Sequence, residues 1–240
     1  MNIVAIFENH PIVATVTVFA STGLAAELIV KAIKYVRSKT RRRRVHEVLF
    51  FNELGEICNK EHQSHGTQSA PKTFECKNKH CSLRQLEKIS MLIDEAQYSI
   101  DICIYTFTCT DLFLAINRAL DRGVSIRMIS DHEMAYSSKS KVLKLANLGV
   151  PLRGPFTTKS MMHHKFCVID GVARVQEIMG LKKCKWPRPY ESVLISGSVN
   201  WTYNGFVGNF ENCTITSDEI LACQFQEEFN RMWKAFLVKE

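Results

Sequence analysis

The chain has 240 residues, 46% of them hydrophobic, which suits one mid-sized domain with a full core once any terminal segment is set aside. Nine cysteines, an odd number at irregular spacings and several in apolar runs (Cys103, Cys167, Cys213), argue against a secreted disulfide scaffold and for a reducing compartment. The net charge of +7 is concentrated: taking the eight Lys and Arg between Lys31 and Arg44 out of the 31 leaves 23 bases against 24 acids. Bulk charge therefore gives no argument for nucleic acid, and any polyanion site must be a local patch.

In chain order, residues 1–10 form a short tail. Residues 11–30, "PIVATVTVFASTGLAAELIV", are an apolar run with one charge near its end, and a bilayer needs ~20 such residues as a helix. The bland alternatives are a buried core helix or a signal peptide, but a signal peptide carries its positive charge before the apolar region. A transmembrane anchor is predicted, with the basic juxtamembrane segment 31–44 holding the carboxyl-terminal bulk in the cytosol. Moderate hydrophobicity with basic flanks also fits a mitochondrial outer-membrane signal anchor.

The rest, 45–240, is read as one domain with a Cys/His-rich insertion at 58–81, "CNKEHQSHGTQSAPKTFECKNKHC". The loop is polar and has little core of its own, and a structural zinc with four Cys/His ligands would replace it. The expected ligands are Cys58, Cys76, His80 and Cys81, with His62 or His65 as substitutes for one of the four. The alternative is a solvated loop with incidental cysteines.

From Ser82 the pattern becomes regular. "LRQLEKISMLIDEA" puts Leu83, Leu86, Ile89, Leu92 and Ile93 on one helical face, and "SIDICIYTF" is a buried strand by composition. "DLFLAINRALDRGV" is a helix stopping at Gly123, "VSIRMIS" a strand, and "SKVLKLANLGV" a short helix. "HHKFCVIDG", "SVLISGS" and "ENCTITS" are strands, and "DEILACQFQEEFNRMWKAFL" is an amphipathic closing helix with Asp218 as its N-cap. This alternation predicts a layered α/β sandwich, a mixed sheet flanked by helices. No internal repeat is visible.

In "HHKFCVIDG", strand alternation puts His163 and Lys165 on one face and His164 on the other. An imidazole and an ammonium side by side repel as cations unless an anion sits between them, and a phosphate would supply it. "GSVN" adds a tight turn with donors on Ser198, Asn200 and the backbone. Glu211, in "GNFENC", is the expected carboxylate to hold the second imidazole nitrogen. Together these parts point to phosphoryl transfer through a nucleophilic histidine.

His163-x-Lys165-x4-Asp170, then Gly197-Ser198-x-Asn200, with Glu211 beyond, resembles the HKD signature of the phospholipase D superfamily. The apolar amino terminus, "EVLFF", the Cys/His loop and "GSVNWT" make the chain similar to that superfamily's mitochondrial branch. The resemblance implies phosphodiester cleavage through a phosphohistidine, without a catalytic divalent metal. A chain with one motif implies a homodimer, with Lys165 and Asn200 stabilising the phosphoryl oxygens and Asp170 supporting the structure through backbone hydrogen bonds.

The branch divides over substrate. It resembles single-strand-specific endoribonucleases that cut precursors of PIWI-interacting RNAs to leave 5′-monophosphate ends, with single-stranded RNA and PIWI-pathway proteins as partners. It also resembles cardiolipin hydrolases that make phosphatidic acid at the mitochondrial surface. An insertion at 172–192 departs from the family's spacing and carries Arg174, Lys182, Lys183, Lys185 and Arg188 around Trp186. Placed near the site it would touch an RNA backbone; the alternative is a solvated hairpin. These bases, with Lys77 and Lys79, lead to the endoribonuclease as the main expectation and cardiolipin hydrolase as the alternative. A non-catalytic scaffold is a third class, and the intact His, Lys, Asn, Ser and Glu set argues against it.

Overall fold

A computed structural model describes residues 26, 27, 30, 44–58, 62, 76–155, 161–183 and 188–236. Nearly all of the predicted anchor and basic segment lies outside these, as do His65, Lys185 and Trp186. Among the described residues no helix is long and apolar enough to cross a membrane. Contacts divide the chain into two units, Met1–Arg43 and Arg44–Glu240, and every element named below belongs to the second.

Seven strands form one mixed sheet in the order β1-β7-β6-β5-β2-β3-β4. They are β1 (His46–Phe51), β2 (Ser99–Ile104), β3 (Ser125–Ser130), β4 (Leu152–Arg153), β5 (Lys165–Ile169), β6 (Val193–Gly197) and β7 (Glu211–Thr216). β2, β3 and β4 run parallel to one another, while β5 is antiparallel to β2, β6 to β5, β7 to β6 and β1 to β7. All six residues of β2, "SIDICI", are buried, as expected of a strand covered on both faces.

Helices α1 (Ser82–Asp94) and α2 (Thr110–Asp121) cover one face. Their apolar residues recur every three or four positions: Leu86, Ile89 and Ile93 on α1, and Leu112, Ala115, Ile116 and Ala119 on α2. These meet Ile100, Ile102, Ile104, Cys167 and Ile195 in the larger core. Two short helices follow, α3 (His132–Ala135) and α4 (Val142–Asn147), then α5 (Val172–Leu181), α6 (Tyr203–Val207) and α7 (Glu219–Ala235).

α7 starts where Asp218 accepts a bond from Leu221 N at 2.9 Å. It lays Ala222, Phe229 and Met232 on the other face of the sheet, against Phe166, Val168 and Leu194. Under it lies a buried ion pair, with Arg127 Nε and Nη2 reaching the Asp101 carboxylate at 2.8 and 2.6 Å. Gln226 of α7 donates to the same carboxylate at 2.7 Å, and Asn230 accepts from Arg127 at 2.9 Å. The guanidinium also faces the rings of Phe229 and Trp233 at 5.0 and 5.2 Å. The pair satisfies its polar groups and fixes how α7 lies on the sheet.

The registers give the sheet two ends. Ile104 faces Lys165, Gly197 faces Cys213 and Phe51 faces Glu211 at the upper end. Ile169, Val193, Ser125 and His46 lie at the lower end. An antiparallel β5–β6 connection that leaves Ile169 and returns at Val193 must lie at the lower end, away from Lys165.

Candidate active site

The upper end gathers the predicted residues. Lys165 opens β5, and the strand is held just before it where Tyr105 N donates to His164 O at 3.0 Å. Lys165 Nζ lies 3.1 Å from His163 Nδ1 and donates to His163 O at 2.8 Å. An ammonium has no lone pair, so in this arrangement Nδ1 accepts and a neutral ring carries its proton on Nε2, the form of a proton donor; attack on phosphorus through Nε2 needs the ring proton on Nδ1 instead. The Tyr105 ring backs both, its centroid 4.6 Å from the imidazole and 5.1 Å from Nζ. Burial pushes the Lys165 ammonium below the usual lysine range, and the Glu211 charge partly opposes that fall.

Glu211 was expected on the imidazole. Instead Ser198 Oγ donates to its Oε2 in a short contact, and Asn209 Nδ2 donates to Oε1 at 3.1 Å. The reason is local pairing of β6 with β7. Ser198 N donates to Asn212 O and Asn212 N to Ser198 Oγ, each at 3.1 Å, so the carboxylate of the neighbouring residue falls on the serine. This close approach requires Gly197, because a Cβ there would lie 2.1 Å from Asn212 O. Asn200 is fixed by its backbone: its carbonyl accepts from Thr202 N at 2.8 Å, and Trp201, in a bridge with Phe107, donates to Thr106 O at 3.1 Å.

Asp170 lies at the other end of β5. Its carboxylate is fully buried and accepts from Gln97 N, Tyr98 N and Ser99 N at 2.8, 2.7 and 2.9 Å. Five of the six nominated residues therefore converge, while Asp170 fastens the strand that carries two of them.

The described part of the insertion is neither an excursion near the site nor a hairpin. It forms α5 at the lower end, where Val175 and Ile178 pack on Tyr98 and Tyr190. Arg174 bonds Glu177 at 2.7 Å and Ser125 at 3.0 Å, and Arg188 donates to Gln97 O at 2.7 Å. These bases stay at the end of the sheet remote from His163.

At the Cys/His loop, donor atoms of Cys58, His62, Cys76 and Cys81 all lie within 4.8 Å of one another. This corrects the expected ligand set: His62 takes the place assigned to His80. Residues 78–81 form a turn in which His80 N donates to Asn78 Oδ1 at 2.9 Å and Cys81 N to Asn78 O at 3.1 Å. Adjacent side chains in such a turn diverge, so only Cys81 points inward. His62 Nε2 lies 3.2 Å from Cys81 Sγ. Burial would raise the Cys58 thiol, but hydrogen bonds from Asn78, Cys81 and Cys76 outweigh it and hold it below the usual range. Burial and the neighbouring sulfurs push Cys81 up to about 11. Three sulfurs and one nitrogen at this spacing fit a structural zinc.

One feature escaped sequence reasoning. Beside His163 and His164, a groove of about 610 Å³ runs to the end of α7. Met161, Met162, Met232 and Phe236 line it, with Glu228 and Arg231. No spacing in the sequence links residues 161–164 to 228–236.

Residues 89–233 match the family model described as cardiolipin synthase, PLD-like domain. A Drosophila melanogaster protein named mitochondrial cardiolipin hydrolase is 52% identical over 97% of this chain and 93% of its own length. This chain belongs to the mitochondrial phospholipase D, or Zucchini-type, branch. A Homo sapiens protein of the branch, carrying the same name, is 28% identical over 90% of this chain and 79% of its own. Among solved structures, NucT from Helicobacter pylori superposes with a TM-score of 0.52 at 22% identity, covering 64% of this chain and 89% of its own. The phospholipase D family member Nuc from Salmonella typhimurium gives 0.50 at 26%, over 62% and 86%. As a phospholipase D superfamily member the chain is a phosphodiesterase-type hydrolase, and such enzymes need no catalytic metal.

Proposed function

We propose that the chain is a cardiolipin hydrolase acting at the mitochondrial outer membrane, releasing phosphatidic acid. The groove carries this reading: the catalytic imidazole opens onto a wall in which Met161, Met162, Met232 and Phe236 stand with Pro155 and Ala235 beside the charged pair Glu228 and Arg231, apolar surface suited to acyl chains next to a polar headgroup. The names of the Drosophila and human relatives support it. The endoribonuclease expectation draws chiefly on the insertion's Lys and Arg, and of these Arg174, in α5, bonds Ser125 and Arg188 bonds Gln97 O, both at the lower end.

The reaction needs a nucleophile and an acid, and each chain has one His163–Lys165 pair. Two copies would supply both. His163 of one copy, in the tautomer with its proton on Nδ1, attacks phosphorus through Nε2, forming a P–N bond as the P–O bond to the bridging glycerol of the leaving phosphatidylglycerol breaks. The second copy's His163 gives its proton to that leaving oxygen. The same imidazole then takes a proton from water, whose oxygen attacks phosphorus and breaks the P–N bond to free phosphatidic acid. Lys165 and Asn200 from both copies stabilise charge on the equatorial oxygens.

The test incubates the full chain with cardiolipin vesicles and, separately, with single-stranded RNA, with His163→Ala as the blank. Phosphatidic acid release without RNA cleavage supports the reading. RNA cleavage without phosphatidic acid overturns it in favour of the nuclease.

A further inference from the structure

We propose that Arg231 and His164 bind a second phosphate of the substrate, making the groove a selectivity site for lipids with two phosphodiester groups. This rests on the lipid reading above. Cardiolipin carries two phosphates joined by one glycerol, so while His163 engages one, the other must lie close by.

The groove already holds the chemistry for that second anion. Strand alternation turns His164 away from His163 and toward the α7 side, where its ring meets the edge of Phe166 with centroids 5.5 Å apart. Glu228 lines the same groove. Arg231 is the one arginine among the described residues lining the groove, and its side chain is 65% exposed. It binds Glu228 in a two-pronged contact, through Nε and Nη2 at 2.6 Å each. That contact uses two of the guanidinium's five N–H donors, and the same planar fork suits a phosphate. Glu228 has a second consequence: its negative charge opposes an incoming anion, so it weakens phosphate binding while it orients the arginine. Met161, Met232 and Phe236 line the same groove, giving acyl chains apolar surface beside this polar pair.

The experiment measures turnover of cardiolipin and of phosphatidylglycerol, which has one phosphate, by the full chain in mixed micelles. Arg231→Gln should lower the cardiolipin-to-phosphatidylglycerol ratio of kcat/KM by about tenfold, the scale of one charge-assisted hydrogen bond. His164→Gln should lower it by less, and Glu228→Gln should raise it. All three positions reach the groove surface, so folding is checked against wild type by thermal melts. A ratio unmoved by Arg231→Gln, with both lipids still hydrolysed, overturns this inference alone. A wild-type chain that hydrolyses neither lipid overturns the parent reading.

Discussion

Lys165 Nζ is tied twice to the residue it serves, at 3.1 Å to His163 Nδ1 and 2.8 Å to its carbonyl oxygen. The cation rather than a carboxylate therefore orients the imidazole. Burial lowers the Lys165 pKa, and the Glu211 charge raises it. Activity that needs the ammonium should fall on the alkaline side at a pH below the ordinary lysine value of 10.5. In Glu211→Gln the charge favouring protonation is gone, so the residual activity should lose its alkaline limb at a still lower pH. A pH profile of kcat for both proteins checks this, and a limb that moves upward contradicts the assignment.

The Cys/His cluster makes a prediction about histidines. Cys58, His62, Cys76 and Cys81 share donor atoms within 4.8 Å, whereas His80 sits in the turn beside them. Metal analysis of the purified chain should find about one equivalent of zinc. His62→Ala and Cys76→Ser should lose most of it, and His80→Ala should retain it. Retention in His62→Ala with loss in His80→Ala would restore the original ligand set.

Asp170 offers a test of support without contact. Its carboxylate takes three backbone N–H groups in a fully buried position. Asp170→Asn keeps the shape and tolerates the left-handed φ of 50° found there, but it replaces one acceptor oxygen with a donor that faces N–H groups. Urea unfolding should show a loss of about 2–3 kcal/mol. A loss of activity with unchanged stability would instead place Asp170 in the chemistry.

Two glycines should respond in opposite directions to alanine. At Gly197 a methyl group would press on Asn212 O at 2.1 Å, forcing β6 and β7 apart and moving Ser198. Gly197→Ala should cost about 3 kcal/mol and most activity. Gly180, inside α5, has nothing within 4 Å of a Cβ, and Gly180→Ala should add up to about 1 kcal/mol. Denaturation midpoints compare the two directly.

Local chemistry was legible in the sequence where it depended on one strand or one turn. Alternation alone paired His163 with Lys165, and isoleucine-rich stretches marked β2 and β3. What depended on neighbours in space was not. Glu211 had an imidazole and a serine within conceivable reach, and the β6–β7 register chose the serine. No spacing rule prefers His62 over His80 until the turn at Asn78 is known. The α5 helix has a sequence signal in Val172, Val175 and Ile178 at helical spacing, but the bases that follow it mask that signal. Its remoteness could have been deduced: two antiparallel neighbours joined at Ile169 and Val193 cannot bring their connection back to Lys165. The groove joins two stretches more than sixty residues apart and had no sequence signal.

The interval between Lys165 and Asp170 acquires a mechanical meaning from β5. One end of the strand is clamped by the buried carboxylate, and five residue steps later, roughly 17 Å at strand rise, the ammonium emerges. Deleting or adding two residues would lift or sink the imidazole by a full pleat. A change of one would swing it onto the side occupied by α7. The fixed letter count of the motif is thus a gauge length, setting how far the nucleophile protrudes from the edge of the sheet.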